Sequence, residues 1–500
     1  MRADSRAERL QGRRWLALVL IAAAAGGLIL LASRDGVSTG PDDAVYAGVA
    51  RSVAHGHGPN VPIHMYPLGT VSIGTPPPGQ STPKPTPLVI YAPLQPHVLA
   101  IGGDHPVGTA QVEDTLFAIA TSLLVGAIVL SATGALWAAA SAQLIIAFSL
   151  ATGPVSGPGT EAFSLALTVA AFAALLRHLE RPRRVFLLTA AVLIGLATLQ
   201  RFANGGLIVW GLIALRHRRR DAVVLAAVSG APLVGWFIYE RVSGASTGHE
   251  FGVHIVTNTV RAAGRSIASW IMPSNTPLPI AILGTLFVVV VVAVVVGRSR
   301  LPAPRVLLLF AVVQIVVLEI AVTFVDAGVN LEPREFIPIF VAVVLAMACA
   351  VGQIPSARSV TLAATTLFVI GGVVVLVNPA HGYAKPYWKH DRVLADIRAL
   401  PANTVIYTNA PDAVYLLAHR AVSSVPETRD FSTLKTNENF SAQIQEIRST
   451  LSTRGGYLVY LRGLERDDFL PTEARLKQLL PLRLVRNEPD GAIYSIARAG

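Results

Sequence analysis

A single cysteine, Cys349, serves the whole chain of 500 residues. One thiol excludes an intramolecular disulfide and a cysteine metal cluster, so any part outside a membrane must hold together by packing alone. Charge is scarce as well. Only 14% of residues are charged against 52% hydrophobic, and the mean hydropathy is +0.54. Ordinary soluble domains carry about 25% charged residues, so this composition excludes one and points to a multispan membrane protein. No glycine-rich phosphate fingerprint follows any strand-like run, so no nucleotide cofactor is expected. The net charge of +11 does not imply nucleic acid, because a basic membrane protein usually owes its charge to topology.

Spanning a hydrocarbon core takes about 20 apolar residues per helix. Apolar runs are present at 15–33, 114–132, 134–151, 160–177, 185–200, 203–216, 221–239, 278–297, 304–325, 336–354 and 359–378, with 203–216 the shortest. Arg2, Arg6, Arg9, Arg13 and Arg14 precede the first run, and Arg177, Arg181, Arg183 and Arg184 follow the fourth. Arg216, Arg218, Arg219 and Arg220 follow the sixth, Arg298, Arg300 and Arg305 separate the eighth and ninth, and Arg358 separates the last two. With eleven spans all of these clusters fall on one side, which basic residues mark as cytoplasmic. The expected topology is an inside N-terminus and an outside C-terminus, in the plasma membrane, with 34–113, 152–159, 240–277 and 326–335 facing out. The first run is longer than the apolar core of a signal peptide and reads as a retained anchor.

The first outward segment opens with Thr39-Gly40-Pro41-Asp42-Asp43, which has the grammar of a helix start: a small cap, proline where no N–H is needed, and acids at the positive end of the dipole. Val45, Val49 and Val53 recur at helical spacing until Gly56 and Gly58, so a helix lying on the membrane surface is expected, with its carboxylates beside the mouth of the first span. A proline-rich stretch from Thr75 to Pro87 must be extended, and it leads into a second surface element, Tyr91 to Ala100. That stretch reads either as a wall over a site or as a stiff connector.

In the segment 240–277, Val256, Val260, Ala263, Ile267 and Trp270 share one helical face. Arg261 and Arg265 lie one turn apart on another, placed for an anionic headgroup or for ordinary acidic lipid. The segment 379–500 alternates helical patterns (391–400, 440–451, 472–480) with β-rich runs at 404–407, 457–460 and 493–496, with Asp490-Gly491 at a turn. It is expected to be a small extracytoplasmic α/β domain, with Asn409-Ala410-Pro411-Asp412 at a strand-to-helix junction. The domain division is therefore 1–378 and 379–500.

Three short motifs in this topology carry a resemblance. Asp42-Asp43-Ala44-Val45-Tyr46-Ala47 after the first span, Tyr91-Ala92-Pro93-Leu94-Gln95-Pro96-His97-Val98-Leu99-Ala100 in the same loop, and Pro333-Arg334-Glu335-Phe336-Ile337-Pro338 opening a late span resemble the C-type glycosyltransferases (GT-C). That class includes protein O-mannosyltransferases, the aminoarabinose transferase acting on lipid A, and actinobacterial arabinosyl- and mannosyltransferases. Asp43 stands where two branches favour Glu, Glu335-Phe336 replaces a commoner Tyr-Leu, and the loop before Tyr91 is long.

The resemblance implies an inverting glycosyltransferase that moves a sugar from a polyprenyl phosphate to an acceptor hydroxyl of a glycan, lipid or protein on the outer face. It implies Asp42 as general base and Asp43 as orienting the acceptor or a divalent cation (Mg²⁺, Mn²⁺ or Ca²⁺), while two adjacent helical residues point about 100° apart and so cannot do one job. Alternatively, both acids merely cap their helix. Arg334, then Arg201, Lys84 and His97, are the expected phosphate ligands, and Tyr46, Tyr91, Glu161 and Glu319 the expected cavity lining. Arg334 and Arg201 could instead pair with neighbouring carboxylates such as Glu335. The rival functions are a lipid-linked sugar transporter and a non-catalytic envelope scaffold.

Overall fold

The computed structural model describes residues 2–33, 40–61, 86–88, 91–149, 157, 159–243, 252–253, 259–272, 276–325, 331, 333–377, 383, 386–420, 422–429, 435–462 and 469–497. Every apolar run reappears as a helix. In chain order, α1 is Arg2–Ala32, α2 Pro41–Ala54, α3 Leu94–Leu99, α4 Pro106–Thr133, α5 Leu136–Phe148, α6 Glu161–Glu180 and α7 Arg184–Gln200. Then come α8 Gly206–Ala214, α9 Arg219–Ser243, α10 Thr259–Ala268, α11 Leu278–Gly297, α12 Pro302–Phe324, α13 Ile337–Val351 and α14 Arg358–Val377. Among the described residues, eight helices are long and apolar enough to cross a membrane: α1, α4, α6, α9, α11, α12, α13 with its leading turn, and α14 with its own. The apolar helices α5, α7 and α8 are shorter.

Burial sorts these helices. The crossing stretch of α6 is mostly inside the bundle, whereas α9, α11 and α14 turn Val234, Phe237, Leu283, Phe287, Leu367 and Val374 outward. Large apolar side chains exposed in such numbers fit a lipid surround. At the bundle centre Phe172, Trp210 and Phe310 meet edge to face, with centroids 4.9–5.8 Å apart. The Trp210 indole N–H is satisfied by the Val306 carbonyl at 2.8 Å. Gln143 is fully buried and its amide donates to the carbonyls of Leu18 (3.2 Å) and Ser122 (2.9 Å), tying α5 to α1 and α4.

The C-terminal part holds α15 (Pro386–Lys389), α16 (Arg392–Ala399), α17 (Pro411–Ala418), α18 (Phe440–Arg454) and α19 (Glu473–Leu479). A small ladder β1 (Asn60–Val61) with β2 (Thr86–Pro87) belongs to the first loop. The main sheet runs β4-β3-β5-β7-β6, from β3 (Ile406–Thr408), β4 (Ser423–Ser424), β5 (Tyr457–Leu461), β6 (Leu482–Glu488) and β7 (Gly491–Ile496). The β3 pairings are parallel, and β5–β7–β6 is antiparallel. Alternation along the strands sends Leu458, Ala492 and Tyr494 to a core with α18 and α19, and Val459, Leu461 and Ile493 to a core with α16 and α17. Asp391 caps α16 by accepting the Leu394 N–H at 2.8 Å, and Thr472 caps α19.

The second of these cores extends beyond the sheet. Ala44, Val45, Ala47 and Val49 of α2 belong to it, while Tyr46 and Ala50 pack with Leu99 and Ala110 on the opposite side. The apolar face of α2, expected to lie on the membrane surface, is therefore covered by protein. An apolar stripe specifies that it will be buried but not by what.

Candidate active site

Pro41 starts α2, and Gly40 before it has extended backbone. The Asp43 carboxylate accepts the Gly40 N–H at 2.6 Å, so Asp43 caps its own helix. Asp42 does not cap. It turns to the other side, where Arg334 Nη1 donates to its Oδ2 at 3.1 Å and the Tyr91 hydroxyl to its Oδ1 at 3.3 Å. The angular separation of neighbouring helical residues has split the pair between two surroundings.

Arg334 lies in the 3₁₀ turn Pro333–Phe336 that leads into α13. Its Nε is 3.7 Å from Glu335, which in turn accepts a hydrogen bond from Arg201 Nη2. Arg201, ending α7, also donates from Nη1 to Glu161, the first residue of α6, at 2.9 Å. The result is a ladder of alternating sign, Asp42–Arg334–Glu335–Arg201–Glu161, joining α2, α13, α7 and α6. Asp43 closes its far end: a Cβ built on Gly159 would touch both the Glu161 and the Asp43 carboxylates.

Exposure differs along the ladder. The side chains of Glu161, Arg201 and Glu335 are 10–14% exposed, whereas Asp42 and Arg334 are 37% and 41% exposed. Arg201 is thus held in an ion triplet, and the Asp42–Arg334 pair is the more exposed end of the ladder. Desolvation, followed by the negative charges of Glu161 and Asp42, holds the Asp43 carboxyl well above the usual carboxylate range, with the Gly40 N–H and Arg334 pulling back. Burial, then the charge of Asp42, pushes the Tyr91 and Tyr46 hydroxyls up, so both stay protonated. Their rings meet edge to face at 5.5 Å.

Beneath the ladder lies a buried amide chain. Gln95 donates to Glu113 at 3.2 Å and accepts from Gln200, the neighbour of Arg201. Asp114 accepts the Gly157 N–H at 2.7 Å. Beside the ladder, Arg261, Ala262, Arg265, Ser266 and Ser269 of α10 and its C-terminal turn, with Leu331 and Pro333, line a cavity of about 330 Å³. Arg261 and Arg265 are exposed at its rim, and no carboxylate among the described residues forms an ion pair with either.

Of the residues expected from sequence, Asp42, Asp43, Tyr46, Tyr91, Glu161, Arg201 and Arg334 are brought together. His97 on α3 is exposed, with Nδ1 2.7 Å from the Pro93 carbonyl, and forms no hydrogen bond or ion pair with the ladder among the described residues. Glu319 is half-buried on α12 and pairs with no charged group among the described residues. Lys84 lies outside the described residues. Sequence reading missed Gln95, Glu113, Asp114 and Gln200; the signal available was two adjacent acids at the head of an apolar run. Among the described residues no three His, Cys, Asp or Glu side chains converge as a metal centre. Among the described residues Asp43 and Glu161 supply too few donors for Mg²⁺ or Ca²⁺, and Glu161 is already engaged by Arg201. The donor set among the described residues does not fit a resident cation.

The fold is that of a multispan helical membrane protein with a small α/β region near the C-terminus. It is similar to the crystal structure of ArnT from Cupriavidus metallidurans in the apo state, with a TM-score of 0.56 and 12% sequence identity, over 95% of this chain and 97% of that one. No protein-family model matches the sequence, and no curated protein does either.

Proposed function

We propose that the chain is a membrane glycosyltransferase of the GT-C class, transferring a pentose or hexose from a polyprenyl phosphate to an acceptor hydroxyl. The observation that carries this is the more exposed end of the charge ladder, where a half-buried carboxylate and guanidinium stand beside a cavity rimmed by two more arginines. The likeness in fold to ArnT, an aminoarabinose transferase of that class, supports the same reading.

In this mechanism Asp42 is the general base. The acceptor oxygen attacks the anomeric carbon as the bond from that carbon to the phosphate oxygen breaks. The acceptor proton goes to Asp42, and the bonding pair leaves with the lipid phosphate. Displacement from the opposite face inverts the anomeric centre. Tyr91 holds one Asp42 oxygen through its hydrogen bond, which leaves the other to exchange Arg334 for the incoming hydroxyl. Arg334 then turns its charge to the phosphate, where positive groups stabilise the developing anion.

Arg261 and Arg265 add charge on the cavity side, and no step passes through a metal. Arg201, closed in by Glu161 and Glu335, acts on this reading by holding α6, α7 and the Arg334 turn in register. His97 and Lys84 are secondary candidates for the headgroup. The reaction is placed on the outer face of the plasma membrane, with 1–378 as the catalytic domain, 379–500 as an extracytoplasmic domain and the N-terminus cytoplasmic.

The double substitution Arg261→Gln with Arg265→Gln tests the phosphate assignment. It should raise KM for the polyprenyl-phosphate donor about 10- to 100-fold, for two charge-assisted contacts, with kcat changed much less. An unchanged donor KM would remove both arginines from the site.

A further inference from the structure

The C-terminal α/β region has no part in the chemistry just described, yet α2 is built into its core. Ala44, Val45, Ala47 and Val49 are at most 1% exposed, and they share one apolar cluster with Val393, Leu394 and Ile397 of α16 and Ala413 and Val414 of α17. The far end of α2 is fastened too: the Arg51 guanidinium lies 5.5 Å from the centre of the Tyr415 ring on α17.

At the near end stands Asp412, in the first turn of α17 and fully buried. The Tyr383 hydroxyl donates to it. Tyr383 belongs to the same apolar cluster as the buried face of α2, and Tyr91 packs against that cluster. Burying a carboxylate is costly unless it is hydrogen-bonded, and packing alone would be served better by an apolar residue. An acid that holds Tyr383, in the cluster against which the Asp42-binding Tyr91 packs, has a positional use.

We propose that the C-terminal region is a positioning part of the reaction site: α17 clamps α2 through their common core, and Asp412 with Tyr383 fixes Tyr91 and thereby Asp42 against Arg334. Asp412 and Tyr383 are positioning residues and touch no reacting atom. For its activity readout the clamp rests on the glycosyltransfer reading; for its structural readout it does not.

The test uses the full chain in lipid nanodiscs, as wild type, Asp412→Asn, Asp412→Glu, Tyr383→Phe and Tyr415→Leu. Hydrogen–deuterium exchange should be at least 10-fold faster in α2 of Asp412→Asn and Tyr415→Leu, with β5, β7 and α6 as protected as in wild type. Transfer by Asp412→Asn should lose kcat about 10-fold with donor KM kept. Asp412→Glu should recover part of the protection and of kcat, and Tyr383→Phe should move in the same direction as Asp412→Asn. Wild-type protection of α2 in every variant would overturn the clamp. So would protection lost evenly from α2, β5 and β7, since that describes a residue needed only for folding. Should wild type transfer from no donor, the glycosyltransfer reading fails, and exchange in α2 still decides the clamp.

Discussion

Asp42 and Asp43 are neighbours in sequence that meet opposite chemistry. Asp42 faces a guanidinium and a phenol at a half-buried position, whereas Asp43 faces its own helix start and another carboxylate and keeps its proton to higher pH. Asparagine imitates a protonated aspartate, so the two substitutions should part. Asp42→Asn should lower kcat by about 10²- to 10⁴-fold, the range for a general base, while Asp43→Asn should lose less than about 10-fold. Equal losses in a side-by-side kcat measurement would contradict the division of labour. A second expectation concerns Arg201, the cation between two nearly closed-off carboxylates. Removing one member of such a group leaves charge uncompensated at a cost of about 3–5 kcal/mol, so Arg201→Gln should melt several degrees lower in detergent micelles. Unchanged melting would place the triplet in contact with water. The sequence could nominate these side chains because charged residues are few at the outward span ends, the arginine clusters falling at the other ends. It could not pair them, since Asp42 and Arg334 are 292 positions apart, and nothing local says which arginine meets which acid.

At the scale of elements, what was legible followed the range of the forces involved. The eleven apolar helices, the start of α2 at Pro41, and α16, α18, α19, β5 and β7 all appear close to their expected positions, because hydropathy and capping act within a few residues. Strand β6 was missed. It is a sheet edge, exposed along most of its length, with Arg483, Arg486 and Glu488 among its residues, so it lacks a buried face that alternation would reveal. The covering of α2 by α17 was missed because an apolar stripe fits lipid and protein equally well.

Two further outcomes belong at this scale. A Cβ at Gly372 of α14 would overlap the Phe148 carbonyl oxygen at the end of α5, so Gly372→Ala should cost about 1–3 kcal/mol by pushing these helices apart, measurable as a lowered melting temperature. In the C-terminal region, hydrogen bonds from Arg462, Tyr494 and Lys477 hold the Glu473 carboxyl down to about 2. Its folded value lies below the unfolded one, so its contribution is complete above about pH 4.5 and is lost as pH falls toward 2. Allowing for solvent screening, that contribution is on the order of 1 kcal/mol. Wild type should lose it between pH 5 and 2, and Glu473→Gln should show no such component. The same acid dependence in both would clear Glu473 of the effect.

Across the whole molecule, the proposal joins a membrane bundle that supplies Arg334, Arg201 and Glu161, a loop that supplies Asp42 and Tyr91, and an α/β region that holds the loop in place. It requires the C-terminal region and the first loop to lie on one side of the membrane and the arginine clusters on the other. Because Cys349 is buried, introduced thiols can report this: in intact cells an impermeant reagent should label Ser449→Cys on α18 and spare His217→Cys in the basic turn after α8. The reverse pattern would invert the topology. Glycosyltransfer with Asp42 as base is tested by transfer of labelled sugar from a panel of polyprenyl-phosphate donors to membrane glycan acceptors, with purified wild type beside Asp42→Asn of equal melting temperature. Transfer from one donor by wild type that falls at least 100-fold in Asp42→Asn is the predicted result; transfer equal in both, or absent from every donor, would contradict it.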